Sequence, residues 1–208
     1  MFNVRFVSVI TLVCLALLSG CATVRSYDYS ALTRSKPRSI LVVPPANRSV
    51  EVNAPYVYLS TISRPLAEKG YYVFPVAVID HFLKENGLPT PAEMNTIPLD
   101  KVRKYIGADA VLYVTIENWG QKYHVLSSKA VVSASLKLVD VQTGELLWDA
   151  RAYAEQSGGN NGLLGAIVDQ VVGSMIDATP NLSRMANTSA INHSSHGLLP
   201  GPYRVTEP

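Results

Sequence analysis

Cys21 is the residue with the most chemistry to offer. It closes the run Leu18-Ser19-Gly20-Cys21. The two small residues leave the Gly20–Cys21 bond open to a peptidase, and a thiolate is nucleophilic enough to be alkylated. The other cysteine, Cys14, lies within an apolar stretch, so the body of the chain has neither a disulfide framework nor a cysteine zinc cluster. The histidines are His81, His124, His193 and His196. His193-Ser194-Ser195-His196 has ligand-like spacing, but it stands in a polar tail without an acid or thiol nearby, and a tetrahedral metal site needs more ligands. Asp80-His81 could supply a base and its orienter, with Glu117 as a further acid or base. Neighbours on a helix point about 100° apart, however, which favours a solvated pair. The glycine-rich run 158–162 could cradle an anion ahead of a helix, yet it lacks the lysine and hydroxyl of a phosphate loop. No G-x-S-x-G, H-E-x-x-H, Walker A or G-x-G-x-x-G motif occurs. No catalytic residue, metal or cofactor is expected.

The elements that must position these residues belong to a chain of 208 residues, 48% hydrophobic and 16% charged, with a net charge of +2. This composition excludes dominant disorder and disfavours nucleic acid as a partner, because 18 basic against 16 acidic residues leave little field for phosphates. Arg5 is the only charge before Arg25, and the uncharged run Phe6–Leu18 falls short of the roughly 20 residues that span a bilayer. A basic start, a short apolar stretch and small residues describe a secretory signal over 1–20. Leu18-Ser19-Gly20-Cys21 resembles the lipobox of bacterial lipoproteins. That resemblance implies cleavage between Gly20 and Cys21, acylation of Cys21, and a bilayer as the first partner. Several acyl chains hold firmly where one holds marginally. Ala22 stands where an aspartate commonly retains lipoproteins at the inner membrane, so the implied destination is the outer membrane. The domain would face the periplasm, or the cell surface.

Residues 21–38 carry Arg25, Arg34, Lys36 and Arg38 against Asp28 and read as a basic, solvated tether. The α/β domain is placed at 39–177. Ser39–Val43 reads as a buried strand ended by Pro44-Pro45. Tyr56, Leu59, Ile62 and Leu66 give a helix over 55–69, stopped by Gly70, in which Pro65 predicts a kink or a second helix. Tyr71–Val76 reads as a strand, Ile79, Phe82 and Leu83 as one face of a helix, and Leu99, Val102 and Ile106 as another helix closed by Gly107. Ala110–Trp119 is a strand. Val131–Asp140 and Leu146–Tyr153 form a hairpin, with Ala134, Leu136 and Leu138 buried and Ser133, Ser135 and Lys137 wet. A further helix, Leu163–Asp177, has a broad apolar stripe, and Gly165 and Gly173 on its other side would suit a subunit contact. Residues 178–208 show no strand or helix pattern and read as an irregular tail. The sum is a mixed sheet of about five strands with helices packed on it.

Gly107-Ala108-Asp109-Ala110-Val111-Leu112-Tyr113-Val114, the hairpin around Thr143-Gly144-Glu145 with Trp148, and the element order resemble the small α/β domain of the TolB N-terminal domain and the CsgG-type secretion lipoproteins. Over nearly its full length, with Pro44-Pro45 and the closing Gly197-Leu198-Leu199-Pro200-Gly201-Pro202-Tyr203, the chain is similar to a bacterial outer-membrane lipoprotein family of unknown function. The resemblance implies a non-catalytic assembly or binding module of an envelope or secretion complex. Its implied partners are other envelope lipoproteins, secretion components or a second copy of the chain. Trp119, Tyr123 and Trp148 are candidate contacts if exposed, with placement in the core at least as open for each. The alternative is a cell-envelope enzyme acting on peptidoglycan or lipid through Asp80, His81 or Glu117.

Overall fold

The computed structural model describes residues 26–124, 127–158 and 178–204. Its elements in chain order are α1 (Ser30–Ser35), β1 (Ser39–Val42), β2 (Ala46–Asn47), α2 (Ala54–Glu68), β3 (Tyr72–Val73), α3 (Val76–Glu85), α4 (Pro91–Met94) and α5 (Leu99–Lys101). A π-helical turn, Val102–Ile106, continues α5, and β4 (Ala110–His124), β5 (Ser127–Asp140), β6 (Leu146–Gly158) and α6 (Ala178–Ile191) follow. The six strands form one mixed sheet in the order β3-β1-β4-β5-β6, with β2 also paired to β4. Pairings among β1–β4 are parallel, whereas β4–β5 and β5–β6 are antiparallel.

Alternation along the strands divides the core in two. Ile40 and Val42 of β1 face the layer of α2 and α6, while Leu41 and Val43 face α3, α4 and the π-helical turn. Helix α2 buries Tyr58, Ile62 and Leu66 at four-residue spacing, together with Leu59, as a helical period demands. It runs unbroken through Pro65, so no second helix begins there. The proline falls in the last turn, where it removes one intrahelical bond and its ring is buried in the core. Gly70 (φ +95°) ends the helix: its N–H bonds the carbonyl of Ala67, and that of Tyr71 bonds the carbonyl of Leu66.

Two register shifts reassign side chains. Ile116 pairs with Ala134 and Asn118 with Ser133, leaving Glu117 as the extra residue of a β-bulge. The shift turns Trp119 onto the inner face of Ile116, where it is buried and packs against Tyr58 at 6.5 Å between ring centroids. The expectation of Trp119 as a partner contact is thereby corrected. A second shift leaves Leu147 unopposed and buries Trp148 completely. In β5, Ala134, Leu136 and Leu138 are buried as the alternation requires. Ser133 is buried too, within 3.4 Å of the Arg151 guanidinium.

The reading of 178–208 as irregular fails at α6. Leu182, Ala186 and Ala190 form its apolar line, but Ser183 and Asn187 are equally buried, and these polar residues mask the period. They belong to a network with α2. The Tyr58 hydroxyl donates to Asn187 Oδ1, Asn187 Nδ2 donates to Thr61 Oγ1 at 3.1 Å, and the Thr61 and Ser183 hydroxyls lie 2.7 Å apart. Burial pushes the Tyr58 phenol strongly upward. Nor is 21–38 a bare tether. From Tyr27 onward it is fastened to the sheet, and Leu32 of α1 is buried. The expected helix Leu163–Asp177, with Gly165 and Gly173, lies outside the described residues, as do Gly20 and Cys21.

Candidate functional site

The two ends of the described chain meet at the base of the sheet. The Tyr27 hydroxyl donates to Asp149 Oδ1 and accepts from the Asp149 N–H, both at 2.8 Å. Partial burial and this carboxylate push the Tyr27 phenol up to about 12. The Tyr29 hydroxyl donates to the Gly197 carbonyl at 2.5 Å. Helix α1 then passes beneath β6 and β5: Arg34 reaches Glu145 at 2.6 Å, and Ser35 Oγ donates to Asp140 Oδ2 at 2.5 Å. The α1 helix stops at Lys36, the one described non-glycine residue in the left-handed region (φ 47°, ψ 55°), whose N–H bonds the Leu32 carbonyl.

From the other end, residues 197–204 form a strap. The Trp148 indole donates to the His196 carbonyl at 2.9 Å, and the Tyr71 hydroxyl donates to the Leu199 carbonyl at 2.8 Å. Burial pushes the Tyr71 phenol to about 12. The N–H of Gly201 bonds the Lys69 carbonyl and that of Tyr203 the Gly70 carbonyl. Arg38 closes the junction, donating through Nη2 to the Tyr203 hydroxyl at 2.9 Å with its guanidinium over that ring.

Two clefts open at this junction, and Lys36 lines both. One, of about 310 Å³, lies between α1 and the strap and is walled by Leu32, Thr33, Pro37, Tyr71 and Leu199–Pro202. The other, of about 280 Å³, is polar, with Ser35, Arg38, Arg103, Asp109, Asp140 and Gln142 among its walls. Its carboxylates accept several hydrogen bonds each. Asp109 Oδ2 accepts from the N–H groups of Arg38 and Ser39 and from Ser39 Oγ, each at 2.9 Å. Asp140 Oδ1 accepts from the N–H groups of Gln142 and Thr143 at 2.8 Å and from Thr143 Oγ1 at 3.1 Å. Burial works to raise the Asp140 carboxyl, but the hydrogen bonds from Ser35, Thr143 and Gln142 outweigh it and hold the carboxyl below its ordinary value.

The residues singled out as acids and bases are each engaged locally. Asp80 Oδ2 accepts from Lys84 Nζ at 2.6 Å, one turn along α3. His81, largely exposed, lies 3.1 Å from Glu85. Glu117 sits on the bulge with Arg48 at 3.2 Å and Ser135 at 3.4 Å. Neither junction cleft includes any of the three. The rings of His193 and His196 stack at 3.6 Å, and among the described residues no group of three or more metal-ligating side chains forms. The backbone of Tyr123 pairs with Ser128 in the long β4–β5 ladder. The junction residues Tyr27, Tyr29, Lys36, Arg38, Arg103 and Asp109 escaped sequence reasoning. The partners of Tyr27, Tyr29, Arg38 and Asp109 lie 70 to 168 positions away, and the Asp140–Thr143 turn carries a local signal, an acid bonding the N–H groups just ahead of it.

The family described as "Putative lipoprotein GNA1162-like" matches residues 27–203, so its limits coincide with Tyr27 and Tyr203 at the junction. "Putative lipoprotein NMB1124/NMB1162" of Neisseria meningitidis serogroup B is 39% identical over 199 residues, which cover 91% of this chain and 93% of that protein. The crystal structure of lipoprotein GNA1162 from Neisseria meningitidis superposes with a TM-score of 0.56 at 40% identity, covering 68% of this chain and 99% of that one. Sequence and fold agree: this chain belongs to the GNA1162-like lipoprotein family.

Proposed function

We propose that the chain is anchored in the outer membrane through an acylated Cys21 and presents its α/β domain to the periplasm as a non-catalytic assembly or binding module of an envelope complex. The observation that carries this reading is a spacing. Cys21 stands six residues before Tyr27, where attachment to the sheet begins. Six extended residues span roughly 20 Å, so an anchored domain would ride close to the leaflet with its α1–strap junction nearest the lipid. Family membership supports the lipoprotein part of the reading. Support for the non-catalytic part comes from Asp80, His81 and Glu117, each tied to its own neighbour rather than to one another.

Mass spectrometry of the native protein tests the anchor. A mature chain that begins at an acylated Cys21 is expected, and retention of residues 1–20 or a free thiol overturns it. Sedimentation with the outer-membrane fraction tests the destination. Crosslinking in intact cells tests the module. Capture of an envelope protein or a second copy is expected, and a lone monomer refutes it.

A further inference from the structure

The polar cleft has charges that its own walls do not use. Lys36, Arg38 and Arg103 line it, and among the described residues none of them appears in an ion pair. Arg38 spends hydrogen bonds only on a neutral phenol, so its charge is uncompensated. The two carboxylates present, Asp109 and Asp140, point their lone pairs at N–H and O–H donors of β1, α1 and the β5–β6 turn. Those donors are neutral, so the cleft sets three cations against two carboxylates, a formal balance of +1, with the lone pairs of the acids already turned toward the protein. Guanidinium forks match phosphate oxygens in geometry, and a lysine adds a point charge. Lys36 reaches the cleft from the left-handed residue that ends α1, where its N–H bonds the Leu32 carbonyl.

We infer that this cleft binds a phosphate group. The same chemistry is offered by the headgroup of an anionic phospholipid and by free phosphate. The lipid source fits a domain anchored through Cys21, and the cleft opens at the C-terminal end of α1. The inference goes beyond the anchor and stands without it, because soluble probes bind or fail to bind whatever the state of Cys21.

The test is calorimetric titration of the full-length protein, purified from membranes in non-ionic detergent, with inorganic phosphate and with dihexanoyl phosphatidylglycerol. At least one probe binds, and Arg103→Gln or Lys36→Gln weakens it tenfold or more. Lys104→Gln changes it less than twofold, since Lys104 lies outside the cleft against the Tyr105 ring. Tighter binding of the lipid assigns a headgroup, and equal or tighter binding of phosphate assigns the free ion. Lys36→Gly guards against loss of fold: it relaxes the backbone, so its melting temperature holds or rises while binding is still lost. The inference is overturned if neither probe binds, or if Lys104→Gln weakens binding as much as Arg103→Gln does.

Discussion

Gly70 and Gly201 touch backbone to backbone. A Cβ on Gly201 would lie 2.7 Å from the Gly70 carbonyl carbon, and one on Gly70 would lie 2.7 Å from Arg204 Cα. No flexible side chain stands on the far side to yield. Gly201→Ala is therefore expected to cost about 2–3 kcal/mol, as overpacking of a tight contact does. Gly70→Ala adds to the clash a left-handed backbone worth about 1–2 kcal/mol. Gly87 has a similar φ (+86°) with open space around it, so Gly87→Ala should cost only the conformational part, about 1–2 kcal/mol. Urea denaturation of the three variants checks the order; equal losses would show that the strap does not press on Gly70.

Trp119 separates a core role from a surface role. If it packs as the Tyr58 contact implies, Trp119→Ala lowers stability by about 3–5 kcal/mol. An exposed partner contact would leave the melting curve within about 0.5 kcal/mol of the parent. Circular dichroism melts distinguish the two outcomes.

Asn187 joins α6 to α2 through Tyr58 and Thr61 in a region without solvent. Asn187→Ala strands the Tyr58 hydroxyl and opens a small void, for an expected loss of about 2–4 kcal/mol. Adding Tyr58→Phe removes the stranded donor and should recover part of that loss. A double-mutant cycle with no coupling would mean that the bond contributes nothing.

Asp140 gives the domain an acid-side weakness. Its folded-state pKa lies below the unfolded value of about 3.9, so its contribution is present above that value and fades as pH falls through the folded pKa. Stability should rise with pH across roughly pH 2–5 and lose part of that slope in Asp140→Asn. An unchanged slope in the variant would assign the acid sensitivity to other carboxylates.

What could be read from residue order alone was whatever local periodicity encodes. The alternation of Ala134, Leu136 and Leu138 gave the buried face of β5, and Gly70 and Gly107 marked helix ends that both prove to have positive φ. Parity was lost at Glu117. One unpaired residue moves every later side chain of β4 to the opposite face, and no composition signal announces a bulge. Helix α6 was hidden for another reason: two of its inward positions are Ser183 and Asn187, which pay for burial with hydrogen bonds to a helix some 120 residues earlier. Most of the junction was invisible because its bonds join residues far apart in the chain, as Tyr29 to Gly197 and Arg38 to Tyr203 do.

That arrangement sets an order of events. Tyr29, Arg38, Tyr71 and Trp148 are all translated before the groups that complete them, at 196–203, have been made. A nascent chain therefore holds an unlatched sheet whose base is still open. Only when the strap has been made can the fold close, so its last step waits on eight residues near the end of the described chain.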